Sequence, residues 1–219
     1  GQLHRLRAGN YREVLYRAAG NEASIGDAPA VLVFADTFWR NSWKYQTRAY
    51  RHSFWDTGTI MANLLSVCAA LGLPAKLVLG FVDETVNRLL DLDPAHEAAL
   101  AMIALGAGAK ESLRPSPEFR PLGLETTPLS ETEIEYPGIH EMHQASCLQS
   151  EEEVSVWRGA PPTGLMPPPS GSVYSVKSAV SPTSSGESLY SVIARRGSTR
   201  EFSHDSIDFG ELSQMLLTA

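Results

Sequence analysis

Two short segments of this 219-residue chain carry side chains suited to chemistry. Arg195-Arg196-Gly197-Ser198-Thr199-Arg200-Glu201-Phe202 sets three guanidinium groups and two hydroxyls around a glycine. Arginine forks match phosphate oxygens two at a time, serine adds a donor, and glycine lets the backbone come close. The segment reads as a phosphate clamp of Arg196, Gly197, Ser198 and Arg200. The same residues also suit a helix C-terminus decorated with cations, which the macrodipole favours. Lys44-Tyr45 lies in an aromatic and basic loop, Trp39 to Tyr50. A desolvated lysine beside a phenol can abstract a proton. The plainer reading is a solvated lysine and a packing tyrosine, because perturbed pKa values are a minority case.

Other candidates carry less. His140-Glu141-Met142-His143 offers two imidazoles but no third ligand at helical spacing, so no metal site is expected. Gly106-Ala107-Gly108 lacks the rest of a dinucleotide fingerprint and reads as a turn. Asn63 reads as a satisfied polar group and Cys68 as a small buried hydrophobe. Arg5, Arg7, Arg12 and Arg17 read as a solvated or dimer-facing surface.

The elements that must position these residues fall into two pieces. In the first, Leu3 to Ala8 reads as helical. Asn10 and Glu13 make a capping box for a second helix, ended by Gly20. Val31 to Ala35 is a buried strand. Ser53 to Leu73 is the longest helical pattern. It is apolar on most faces from Ile60 onward, which predicts a central helix. Lys76 to Phe81 is a strand, Asp83 starts a helix running to about Leu90, and Leu100 to Leu105 is a third strand. This alternation places the piece among α/β or α+β sandwiches. In the second piece, Leu189, Val192 and Ile193 have helical spacing. Asp208 and Glu211 cap a further helix, with an apolar stripe of Leu212, Met215 and Leu216.

Between the pieces the composition changes. Eleven of the 14 prolines lie between Pro115 and Pro182, and Pro121 to Trp157 holds eight Glu and no Lys or Arg. Residues 109–186 therefore read as a largely disordered Pro/Ser/Glu-rich linker, with ordered patches near Ile134 and from Val154 to Trp157. The net charge of −7 argues against a nucleic-acid partner. Two cysteines and no bilayer-length apolar run point to a cytoplasmic protein with no membrane partner. The chain opens at Gly1 in helical pattern and closes at Ala219 inside a helix, so a fragment of a longer protein is expected.

Several spaced motifs together suggest a family. Tyr45-Gln46-Thr47-Arg48-Ala49-Tyr50-Arg51, Asp56-Thr57-Gly58, Asn63-Leu64, Ala69-Ala70-Leu71-Gly72-Leu73, and Gly80-Phe81 before the Asp83 helix resemble the C-terminal half of a nitroreductase-fold flavoprotein. Lys44-Tyr45 is similar to the dipeptide of the SagB-type dehydrogenases, the branch containing azoline oxidases. Arg196-Gly197-Ser198-Thr199-Arg200, Phe202 and the Glu211-Leu212-Ser213-Gln214 helix resemble the opening of the same fold. Thr59 stands where the family often has His, and Gly197 where a bulkier residue is commoner.

The resemblance implies an incomplete, FMN-dependent, nitroreductase-like α+β fold. Residues 1–108 would be the end of one copy, 109–186 a linker, and 187–219 the start of a second copy. It implies oxidation of thiazoline or oxazoline rings in a ribosomal peptide to azoles. Lys44 and Tyr45 would be the catalytic pair, and Arg196, Gly197, Ser198 and Arg200 would hold the FMN phosphate. Leu79 and Gly80 would lie against the flavin ring. The implied partners are a heterocyclised peptide, its cyclodehydratase complex, and a second copy in a dimer or tandem pair. A general flavin reductase of nitro compounds or quinones, and a catalytically silent scaffold copy, are the alternatives. The chain alone is expected to be poorly active.

Overall fold

Glu97–Leu105, nearly all alanine and aliphatic residues, becomes the middle strand of a three-stranded sheet. Its inner seven residues are buried, as befits a strand covered on both faces. The computed structural model describes residues 2–108, 112–124, 127–159, 170–176 and 186–218. The chain divides into two units, Gly1–Pro161 and Pro162–Ala219.

In the first unit, β1 (Ala30–Thr37) and β2 (Ala75–Val78) flank the Glu97–Leu105 strand, β3. The order is β1-β3-β2, antiparallel throughout. Leu32 faces Ile103 across one edge and Leu77 faces it across the other. The first three helices are α1 (Arg12–Ala18), α2 (Ala23–Asp27) and α3 (Trp39–Tyr45). A 3-10 turn, Gln46–Arg48, leads into α4 (Ala49–Ala70). Then come α5 (Asp83–Leu90), α6 (Pro137–Ser146) and α7 (Glu151–Gly159). The main core packs α1, α2 and α5 on the sheet through Leu15, Ile25, Val86, Leu89 and Met102. Asn87 in α5 is buried, and its side-chain oxygen accepts a 2.9 Å hydrogen bond from the Ala99 amide.

Three local expectations change. Leu3–Ala8 is not helical, and Leu3 and Leu6 are exposed. The Asn10–Glu13 box does not form: Asn10 accepts from the Arg12 amide, while Glu13 accepts from the Ser116 amide at 2.8 Å. The segment around Ser116 thus takes the carboxylate that a box would have used. The long helix does form, but not as a centrally buried one. Ala49, Ser53, Thr57, Met61 and Cys68 make its buried stripe, while Phe54, Trp55, Ile60, Val67 and Leu71 remain exposed.

The interval 109–186 differs from a plain linker, because it contains α6 and α7. Ile139, His143 and Val154 are buried, so a few inward residues anchor each helix despite the polar composition. Pro137 starts α6, where a missing N–H costs nothing. Gly138 lets that helix close on Thr47, since a Cβ there would meet Thr47 Cγ2 at 2.5 Å. Val154 packs against Gly20, and Arg158 donates to the Ala19 carbonyl and pairs with Glu22 at 3.5 Å.

In the second unit, α8 (Leu189–Arg195) is capped by Ser188, whose side chain accepts from the Ser191 amide. α9 (Phe209–Thr218) starts with a reciprocal capping box. The Glu211 amide donates to Asp208 at 2.8 Å, and the Asp208 amide donates to Glu211 at 3.0 Å.

Candidate functional site

β2 ends at Val78, and the next residue, Leu79, borders a cavity of about 360 Å³. Leu79 lines it with Tyr50 and Phe54 of α4, Asp83 at the start of α5, and His143 and Cys147 at the end of α6. The Trp157 indole lies directly on Gly80: a Cβ there would meet two of its ring carbons at 2.6 Å. Gly80 is thus a place where a planar aromatic group rests on bare backbone.

The floor of this site is fixed by the junction of α5 and α6. The Leu148 amide donates to Asp83 Oδ2 at 2.9 Å, and the Asp83 amide donates to the Leu148 carbonyl at 3.3 Å. Burial pushes the Asp83 carboxyl above its ordinary range, against the hydrogen bond from Leu148. Burial and then the neighbouring His140 push His143 down, so its neutral form is favoured. Burial, reinforced by the Asp83 charge, pushes the Cys147 thiol up to about 12. Burial likewise raises Tyr50, whose hydroxyl lies 2.7 Å from Ser146 Oγ.

Lys44 and Tyr45 end α3 and do not line this cavity. Lys44 is exposed, with its ammonium 5.0 Å from the centre of the Tyr45 ring. Tyr45 stacks on His52 at 3.9 Å and 19°, and the Arg48 guanidinium sits 5.5 Å from the same ring. The pair is therefore a cationic aromatic surface cluster in the first unit. Arg196, Gly197, Ser198 and Arg200 belong to the second unit. They form an exposed irregular segment just after α8, and a Cβ on Gly197 would meet nothing within 4 Å. Asn63, expected as a satisfied core polar group, is satisfied by donating to the Thr59 carbonyl at 2.8 Å but lies on the exposed side of α4.

Sequence reasoning missed His143, Cys147 and Trp157 as parts of one site. The signal available was His143 and Cys147 at i,i+4, with Val154 and Trp157 at i,i+3, both helical spacings. Asp83 was read only as a helix start, whereas its side chain ties α5 to Leu148.

Comparison with known proteins places the first unit. Residues 3–107 match the model described as the Nitroreductase family. This segment is similar to the nitroreductase family. The match ends just after β3, so the sheet and α1 to α5 are the matched portion. The microcin B17-processing protein McbC of Escherichia coli is 29% identical over 94 residues, which is 42% of this chain and 35% of McbC. A solved structure assigned as a nitroreductase from Anabaena variabilis aligns with a TM-score of 0.65 and 25% identity. That alignment covers 94% of this chain and 41% of the Anabaena protein. The chain therefore spans well under half the length of either relative and has a partial nitroreductase fold. Among the described residues, no helix is long and apolar enough to cross a membrane.

Proposed function

We propose that this chain is part of an FMN-dependent oxidoreductase of the SagB type, which oxidises thiazoline or oxazoline rings in a peptide to azoles. The observation that carries the reading is the nitroreductase match over residues 3–107, joined to a microcin B17-processing relative over part of the same chain. Leu79 and Gly80 would face a flavin ring once the Trp157 indole that lies on Gly80 is displaced. Arg196, Ser198 and Arg200 of the second unit are proposed separately as donors to an FMN phosphate, with Gly197 leaving the backbone open. Bound FMN supplies the two-electron acceptor that the oxidation needs.

The chain's own part is proton handling and positioning. Tyr45, as its phenolate, would take the proton from the azoline ring carbon and become a phenol. Lys44, whose ammonium lies 5.0 Å from the centre of the Tyr45 ring, would favour that phenolate beforehand. The His52 stack fixes the plane of Tyr45. The exposed apolar residues of α4 suit burial by a second copy, in a dimer or tandem pair, and the peptide's cyclodehydratase is the proposed wider partner.

A paired variant tests the reading. Lys44→Ala with Tyr45→Phe should lower azole formation by about 10²–10⁴-fold while sparing reduction of a quinone or nitro acceptor. Equal loss of both activities would favour a general reductase. Unchanged azole formation would remove Lys44 and Tyr45 from the chemistry.

A further inference from the structure

Asp83, His143 and Cys147 bring a carboxylate oxygen, an imidazole nitrogen and a sulfur within 4.8 Å of one another. Asp83 opens α5, His143 lies in the last turns of α6, and Cys147 follows that helix directly. Cys147 Sγ is 3.6 Å from His143 Nε2. A sulfur and a nitrogen held tetrahedrally on one zinc ion, at ~2.3 and ~2.0 Å, stand about 3.5 Å apart. The pair is thus already at ligand spacing. On the far side of the imidazole, Nδ1 is 3.4 Å from the Tyr50 hydroxyl, which is itself held by Ser146 at 2.7 Å. Metal-bound histidines orient their second nitrogen on such an oxygen. The Asp83 carboxylate is steadied by the Leu148 amide, and among the described residues it makes no salt bridge. Cavities of about 360 and 190 Å³ share these three residues as a wall, which leaves room for a fourth ligand.

A nucleophilic role for this cysteine fits less well, because it needs a base aimed at the sulfur. The sulfur is nearly equidistant from both ring nitrogens, at 3.6 and 3.9 Å, so neither is aimed as a base.

We infer that Asp83, His143 Nε2 and Cys147 Sγ form a binding site for a divalent zinc-class cation, with the fourth position open to the cavity beside Leu79. Binding exchanges the S–H bond of Cys147 for a sulfur–metal bond and releases that proton to solvent, with no electron transfer. The ion fastens the end of α6 to the start of α5, a role that does not depend on flavin.

Cobalt(II), added alone to the purified protein, tests this. The expected result is one equivalent bound per chain, with intense tetrahedral d–d absorption, a thiolate-to-metal charge-transfer band, and displacement by zinc. Cys147→Ser and His143→Ala should each weaken binding at least about tenfold, and Cys147→Ser should remove the charge-transfer band. Cys68→Ala should keep the band; this assigns the thiolate to Cys147 even if a Cys147 variant fails to fold. No band in the parent, a band that survives Cys147→Ser, or one lost in Cys68→Ala would overturn the site.

Discussion

Glu22 is the residue whose charge the fold manages most directly. It caps α2 through the Ser24 amide and takes the Lys76 ammonium at 2.8 Å. Burial alone would raise its pKa, but the hydrogen bonds from Lys76 and Ser24 outweigh burial and hold it down to about 2, well below its ordinary 4.5. A lowered folded pKa stabilises the protein above the unfolded value and loses that contribution as pH falls through the folded one. Stability should therefore fall between about pH 4.5 and 2. Glu22→Gln should cost about 1–2 kcal/mol at pH 7, discounted because Lys76 is exposed, and should flatten that pH dependence in chemical denaturation. Little of this was legible in the sequence, where β1 and α4 separate Lys76 from Glu22 and Ser24. The Asp208–Glu211 box was legible, because both partners of a capping box lie within one turn. Lys44-Tyr45 could be picked out as a pair, but its stack on His52 comes from the turn between α3 and α4.

At the scale of elements, close approach between α7 and the end of β2 sets the shape of the site. Gly80→Ala puts a Cβ 2.6 Å from the Trp157 ring, so the helix must lift or the indole must turn. The single change should lower stability by about 1–3 kcal/mol. The same change made in a Trp157→Ala background should cost much less, and denaturation of the four proteins in a double-mutant cycle measures the coupling. The places of the strands and α5 could be read in advance because their signals are local, but β1 is a half-exposed edge strand and not a buried one, and β2 stops at Val78 instead of running to Phe81. The packing of α6 and α7 could not be read in advance. Each rests on one or two inward residues, Ile139 with His143 and Val154, among side chains that look like linker. The long helix was legible in length but not in burial. Its inward stripe uses small and polar residues, Ala49, Ser53 and Thr57, so the sheet covers those and leaves larger apolar ones outside.

For the whole molecule, that uncovered face of α4 bears on assembly. Ile60 and Val67 are 57% and 40% exposed, which suits an interface better than water. Light scattering after size exclusion should show a dimer, and Ile60→Asp with Val67→Asp should shift it to monomer. A monomeric parent would remove the second copy from the account. The matched portion, residues 3–107, was legible because several short motifs agree in order along one fold. The central claim is that this chain holds FMN by its phosphate, through Arg196, Ser198 and Arg200. Flavin fluorescence during an FMN titration tests it most directly. The account predicts saturable quenching at about one FMN per site in the parent, and loss of saturation in Arg196→Ala, Arg200→Ala. The absence of saturable quenching in the parent, or equal quenching in the double variant, would contradict it.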